Sequence, residues 1–170
     1  MSLDRLLDGL PLKHLSRAGW LRVGIDSPET VASHSWGMAW LVLRLCPSTL
    51  DRGRCLALAI IHDLPEVRVG DLTPHDGVSK STKHALETEA AATLLADRPD
   101  LLALVGEYTA RATPEAQFVR DLDKLDMALQ ALVYADQADT REFVESALQS
   151  ARSPQIRALI SQVMARLPAK

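Results

Sequence analysis

The sequence predicts an all-α fold in a single compact domain spanning residues 1–170. Helix formers dominate between Pro and Gly punctuation, apolar residues recur at helical spacings, and no stretch alternates apolar with polar residues as a half-buried strand would. A chain of this length buries roughly 70% of its unfolded-state surface, so neither a disulfide nor a structural zinc is needed for folding.

The elements follow from local signals. Ser2 caps a first helix reaching about Leu15, with a break or kink expected from Gly9 and Pro11. Residues 16–20 read as a connector. Ser27-Pro28-Glu29 places a cap, a first-turn proline and an acid near the positive end of the helix dipole, so a helix is expected from there to about Leu45, carrying His34. Asp51 caps a third helix that ends near Asp63; its segment 55–61 is apolar on every side and predicts a helix inside the protein. Pro65 and Gly70 then interrupt the chain, and Gly70 to Gly77 forms a loop.

Ser79 or Ser81 opens the next helix, to about Leu95, with Lys83 and Glu87 on its outer face. Pro99 starts a short helix reaching Tyr108. Thr113-Pro114-Glu115 begins a long one to about Tyr134, on which Ala116, Val119, Asp123, Met127, Gln130 and Tyr134 share a face. Asp121 and Asp126 fall elsewhere around that helix and read as solvated. Thr140 to Leu148 is a weaker segment, and Ser153-Pro154 opens a last helix with an apolar stripe of Ile156, Leu159, Ile160, Val163 and Leu167. Residues 139–167 are therefore expected to form a lid or oligomer contact beside a core of about residues 12–136.

Composition excludes several partners. The net charge of −3 comes without a basic cluster, which argues against a nucleic acid polymer or an anionic membrane, though a few well-placed Arg residues suffice for a small anion. No apolar stretch approaches the ~20 residues needed to span a bilayer. Cys46 and Cys55 lack zinc-ligand spacing and read as reduced thiols, and the first residues lack the basic start and apolar core of a signal peptide. A cytoplasmic location is expected.

The chemistry concentrates around His62-Asp63, where an imidazole and a carboxylate are delivered side by side into an apolar interior. Their desolvation is costly unless something pairs with them, and a cation does so. Glu66 and Asp71 follow within a few residues, and His34 and Asp123 offer the same ligand types from other helices. Mixed imidazole and carboxylate donors suit Mn, Fe, Co, Ni or Zn. Other readings stay open at this point: Glu66 and Asp71 serve equally as caps after Pro65, Arg17 as a surface partner of Asp26 or Glu29, Glu107 as a structural acceptor, and Trp36 and Trp40 as packing residues. His14, His75 and His84 have no matching role.

The order His34, His62-Asp63, Asp123 resembles that of the HD-domain phosphohydrolases. The likeness extends to Glu29-Thr30-Val31-Ala32-Ser33-His34, to the run from Ala59 through His62-Asp63, Glu66 and Gly70-Asp71 to Pro74, and to Glu115-Ala116-Gln117-Phe118-Val119-Arg120-Asp121-Leu122-Asp123-Lys124. It points to the 5′-deoxynucleotidase branch. The resemblance implies an all-α HD-domain fold, usually a homodimer, and a divalent metal cation (Mn, Co, Mg, Fe, Ni or Zn) on His34, His62, Asp63 and Asp123. It also implies hydrolysis of (deoxy)nucleoside 5′-monophosphates to nucleoside and phosphate, with Glu66 and Asp71 catalytic and Arg17 on the phosphate. Lys13 is a weaker phosphate candidate, Trp20 stands for a sugar-pocket tryptophan that bacterial relatives carry directly after the Arg, and Glu107 matches one member of a doubled acid. The alternatives are another phosphorylated substrate or a non-catalytic HD-fold binding module.

Overall fold

The computed structural model describes residues 3–168, which are helical almost throughout. The N-terminal segment breaks as Gly9 and Pro11 require, into α1 (Leu3–Leu7) and a 3-10 turn (Leu10–Lys13). The Ser2 cap lies outside the described residues. The expected connector contains a short helix, α2 (Ala18–Arg22). Five residues do not sustain a helix on propensity alone; this one is held by tertiary contacts, with Trp20 only 2% exposed and Ala18 N donating to Asp71 Oδ2 at 2.7 Å.

α3 (Val31–Leu45) starts later than Ser27-Pro28 suggests, and Thr30 is its cap, its side chain accepting from Ser33 N. The cause is a backbone pairing. Ser16 and Thr30 form an antiparallel bridge, Arg17 N donates to Glu29 O at 3.0 Å and Val31 N to Leu15 O at 2.8 Å, so residues just before Val31 are drawn into an extended strand-like run. α4 (Arg52–Ile61) has the expected Asp51 cap. It is not buried on every side, however: Cys55, Leu58, Ala59 and Ile61 face inward while Ile60 is 60% exposed.

The remaining helices are α5 (Glu66–Val69), α6 (Lys80–Leu94, capped by Ser79), α7 (Pro99–Ala110), α8 (Pro114–Val133, capped by Thr113), α9 (Arg141–Ser150) and α10 (Pro154–Met164, capped by Ser153). α8 is the centre of the molecule, packed against α3, α4, α7, α9 and α10. Wrapped so widely, it buries Leu122, Leu125, Ala128 and Ala131 beyond the single face the spacing suggests. Asp121 is also buried rather than solvated: its carboxylate accepts from Arg152 N at 3.0 Å and Ser153 N at 2.6 Å, tying α8 to the start of α10.

The main core joins Met38, Leu41 and Val42 of α3 to Leu58 of α4, Leu122 of α8, Val144 of α9 and Ile156 and Ile160 of α10. α9 and α10 therefore share this core. A smaller cluster of Ile61, Ala91, Leu94, Leu95 and Val105 joins α4, α6 and α7. Between these two cores lies the end of α4, where His62 and Asp63 emerge.

Candidate metal centre

His34 is fully buried in the first turn of α3, His62 ends α4, Asp63 follows it, and Asp123 projects from the middle of α8. Residues distant in sequence thus converge. The donor atoms of His34, His62 and Asp123 lie within 4.8 Å of one another. Asp63 Oδ2 is 3.1 Å from His62 Nε2 and 3.8 Å from His34 Nε2, while Asp123 Oδ1 is 3.4 Å from His34 Nε2.

The outer ring nitrogens determine what the inner ones do. His62 Nδ1 lies 2.9 Å from Ala59 O, and a carbonyl only accepts, so that nitrogen carries the proton. His34 Nδ1 is 2.7 Å from Asp126 Oδ2 and is protonated for the same reason. Both Nε2 atoms then turn their lone pairs inward. Both are buried, and neither has a hydrogen-bond partner. Lone pairs facing carboxylates in a buried space need a cation or a proton between them. The donor set, two imidazoles with carboxylates and an orienting acceptor behind each ring, is one that fits a divalent transition metal.

The charges around the centre respond accordingly. Burial and the nearby Arg17 disfavour the imidazolium of His34, yet the carboxylates of Asp123 and Asp126 outweigh them and raise its pKa from 6.5 to about 10, so without a metal a second proton on Nε2 takes the place of the cation. Burial opposes ionisation of Asp63, but His62, His34 and Arg17 hold its carboxyl well below the usual range. Asp123 is likewise held down against burial by Lys124 and the two histidines, with Lys124 Nζ donating to its Oδ2 at 2.9 Å and Tyr108 OH at 3.3 Å. In contrast, burial, Asp63 and Asp71 push Glu66 up to about 9, and its Oε2 is buried without a partner. Arg17 stays charged because Asp71 and Asp63 overcome its burial. Its Nη1 is 3.6 Å from Asp63 and 3.8 Å from Asp71.

Residues 11–164 match the HD domain family. The chain belongs to that family. It is 38% identical over 144 residues to the 5'-deoxynucleotidase hdd1 of Schizosaccharomyces pombe, covering 79% of this chain and 73% of the relative. It is 34% identical over 163 residues to the 5'-deoxynucleotidase HDDC2 of Homo sapiens, covering 91% and 80%. Among solved structures, a conserved hypothetical protein from Pyrococcus furiosus superposes with a TM-score of 0.81 at 33% identity, covering 96% of this chain and 99% of that one.

Within this HD domain, Arg17, Glu66 and Asp71 stand beside the four candidate ligands, and three other residues named from sequence make their contacts with residues outside those four. Trp20 is in the main core, its ring 4.2 Å from that of Phe143 and its Nε1 donating to Glu29 Oε1 at 3.0 Å, so it does not form an open pocket wall. The hydrogen bonds and ion pair of Glu107 run to Arg54 and Thr113. Lys13 is exposed, at a shallow hollow with Thr30, Ser33 and Trp36. Asp126, read from sequence as solvated, instead holds His34. Its spacing of three from Asp123 was the one signal in the sequence, and it does not identify a partner on another helix.

Proposed function

We propose that the chain is a metal-dependent 5'-nucleotidase that hydrolyses (deoxy)nucleoside 5'-monophosphates to nucleoside and phosphate. The observation that carries this reading is the pair of buried, partnerless Nε2 atoms facing Asp63 and Asp123, with a charged Arg17 beside them. The curated names of its relatives supply the substrate class. In this reading His34, His62, Asp63 and Asp123 hold the divalent cation, its identity among Mn, Co, Mg, Fe, Ni and Zn being open. When bound, that cation supplies Lewis acidity toward a phosphoryl oxygen and lowers the pKa of water.

The chain's own residues do the rest. Arg17 presents a planar guanidinium to the phosphate and offsets charge that grows as phosphorus is attacked. Burial, Asp63 and Asp71 favour the protonated form of Glu66, which suits it as the proton donor to the departing sugar oxygen. Asp71 receives a proton from the attacking water and fixes α2 through Ala18 N, which keeps Arg17 over the site. Burial of Trp20 leaves the choice between deoxyribose and ribose to other groups.

The protein acts in the cytoplasm as a homodimer in this reading. Cys46 and Cys55 are free thiols, in keeping with a reducing compartment. No helix among the described residues is long and apolar enough to cross a membrane. Trp36, 71% exposed, lies with Trp40 and Leu43 along the outside of α3, an apolar stripe that suits a second copy. The test is phosphate release from deoxy- and ribonucleoside monophosphates before and after chelation. Release that depends on restored Mn, Co, Mg or Zn supports the reading, and release indifferent to chelation overturns it.

A further inference from the structure

We propose that Asp126 and Gly37 form a positioning pair for His34, and that position 37 is glycine because the Asp126 carboxylate occupies the space a side chain would need. This inference rests on the cation reading given above.

α3 and α8 cross so that His34 meets acids from two successive turns of α8, Asp123 at Nε2 (3.4 Å) and Asp126 at Nδ1 (2.7 Å). On α3, Gly37 lies one turn beyond His34. A Cβ built on Gly37 would stand 2.3 Å from Asp126 Oδ1, 3.1 Å from its Cγ and 3.4 Å from Oδ2. A side chain as short as aspartate cannot bend away from such a contact and keep its hydrogen bond to the ring. Glycine is also among the poorest residues for a helix interior, so its presence there calls for a reason, and this close approach is one.

The carboxylate matters because it only accepts. It fixes the proton on Nδ1 and leaves the Nε2 lone pair directed at the centre. An amide in its place donates as well as accepts, so it no longer excludes the opposite tautomer, which puts the proton on Nε2, where the cation would bind. Displacing the carboxylate with a methyl group at position 37 releases the ring in another way, by removing the acceptor from reach. Asp126 is thus a positioning residue acting through His34, and Gly37 acts through Asp126.

The experiment titrates Mn2+ into chelator-treated full-length protein by calorimetry, and records the imidazole N–H proton resonances of the same samples without metal. Asp126→Asn and Gly37→Ala should each weaken Mn2+ binding by about 10- to 100-fold. In an Asp126→Ala background, Gly37→Ala should add no further loss. The wild-type spectrum should show a strongly downfield Nδ1 proton that His34→Ala removes and that both single variants lose. Wild-type affinity in Asp126→Asn overturns the proposal, as does an equal loss from Gly37→Ala in both backgrounds, which would make the glycine a helix-packing residue only. A wild-type protein that takes up no Mn2+ yet shows the expected resonances supports the pair and overturns the cation reading alone.

Discussion

Arg17 Nη1 stands 3.6 Å from Asp63 Oδ2, the same oxygen that faces both imidazole Nε2 atoms. A permanent cation is therefore held against a candidate metal ligand, and the two positive charges oppose each other across one carboxylate. Arg17→Ala should act in opposite directions on two observables. Divalent-cation affinity, read by calorimetry, should hold or tighten because a repulsive charge is gone. Phosphate release, as kcat/KM on a nucleoside monophosphate, should fall by about 10²–10³-fold. Loss of both together would show that Arg17 supports the fold of the site rather than the substrate.

Asp123 carries a charge far from the chain ends of α8, supported by Lys124 and Tyr108. Asp123→Ala removes a ligand but no turn of helix. Bound metal, measured by elemental analysis, and activity should be lost together while the far-ultraviolet circular dichroism stays helical. Retention of both would reassign the α8 ligand.

Glu66 gives a pH dependence of defined sign. Its carboxyl is held up to about 9 by burial, Asp63 and Asp71, against 4.5 for an ordinary glutamate. Between those values the native protein keeps a proton that the unfolded chain has released, so this group makes stability fall as pH rises through that window. Glu66→Gln removes the effect. In chelator-treated protein the Tm of the variant should decline less than that of the wild type between about pH 5 and pH 8. Its kcat should drop by about 10²–10⁴-fold with cation affinity kept. Parallel Tm curves would contradict the assignment of the proton to Glu66.

Asp121 offers a contrast two residues from Asp123. Asp121→Ala leaves the N–H groups of Arg152 and Ser153 without an acceptor at the start of α10 and should destabilise the protein by about 1–3 kcal/mol. The Tm should fall by roughly 2–12 °C for a chain of this size. Cation affinity should be unchanged in the folded protein, which separates a packing acid from the ligand beside it.

The candidate ligands were readable in the sequence because their signals are local: a His-Asp pair ending an apolar helix, a His just after a helix start, an Asp on an apolar face. Most helix boundaries were readable for the same reason, since Asp51, Ser79, Thr113 and Ser153 each cap through their own side chains. What escaped was set by contacts between segments. α2 exists because Trp20 is buried and Asp71 holds its first N–H, and α3 starts at Val31 because Ser16 pairs with Thr30. Asp121 and Asp126 looked solvated because a helical projection assumes one buried face, whereas α8 is covered on several sides. The hydrogen bonds of Trp20 to Glu29 and of Glu107 to Arg54 and Thr113 are likewise set by the fold and are not visible in a linear motif.

The most direct measurement is anomalous scattering from crystals soaked in Mn2+. The account requires one peak per chain at about 2.0–2.2 Å from His34 Nε2, His62 Nε2 and an oxygen each of Asp63 and Asp123. A peak at other residues, or none in crystals of protein that still releases phosphate after chelation, would contradict it.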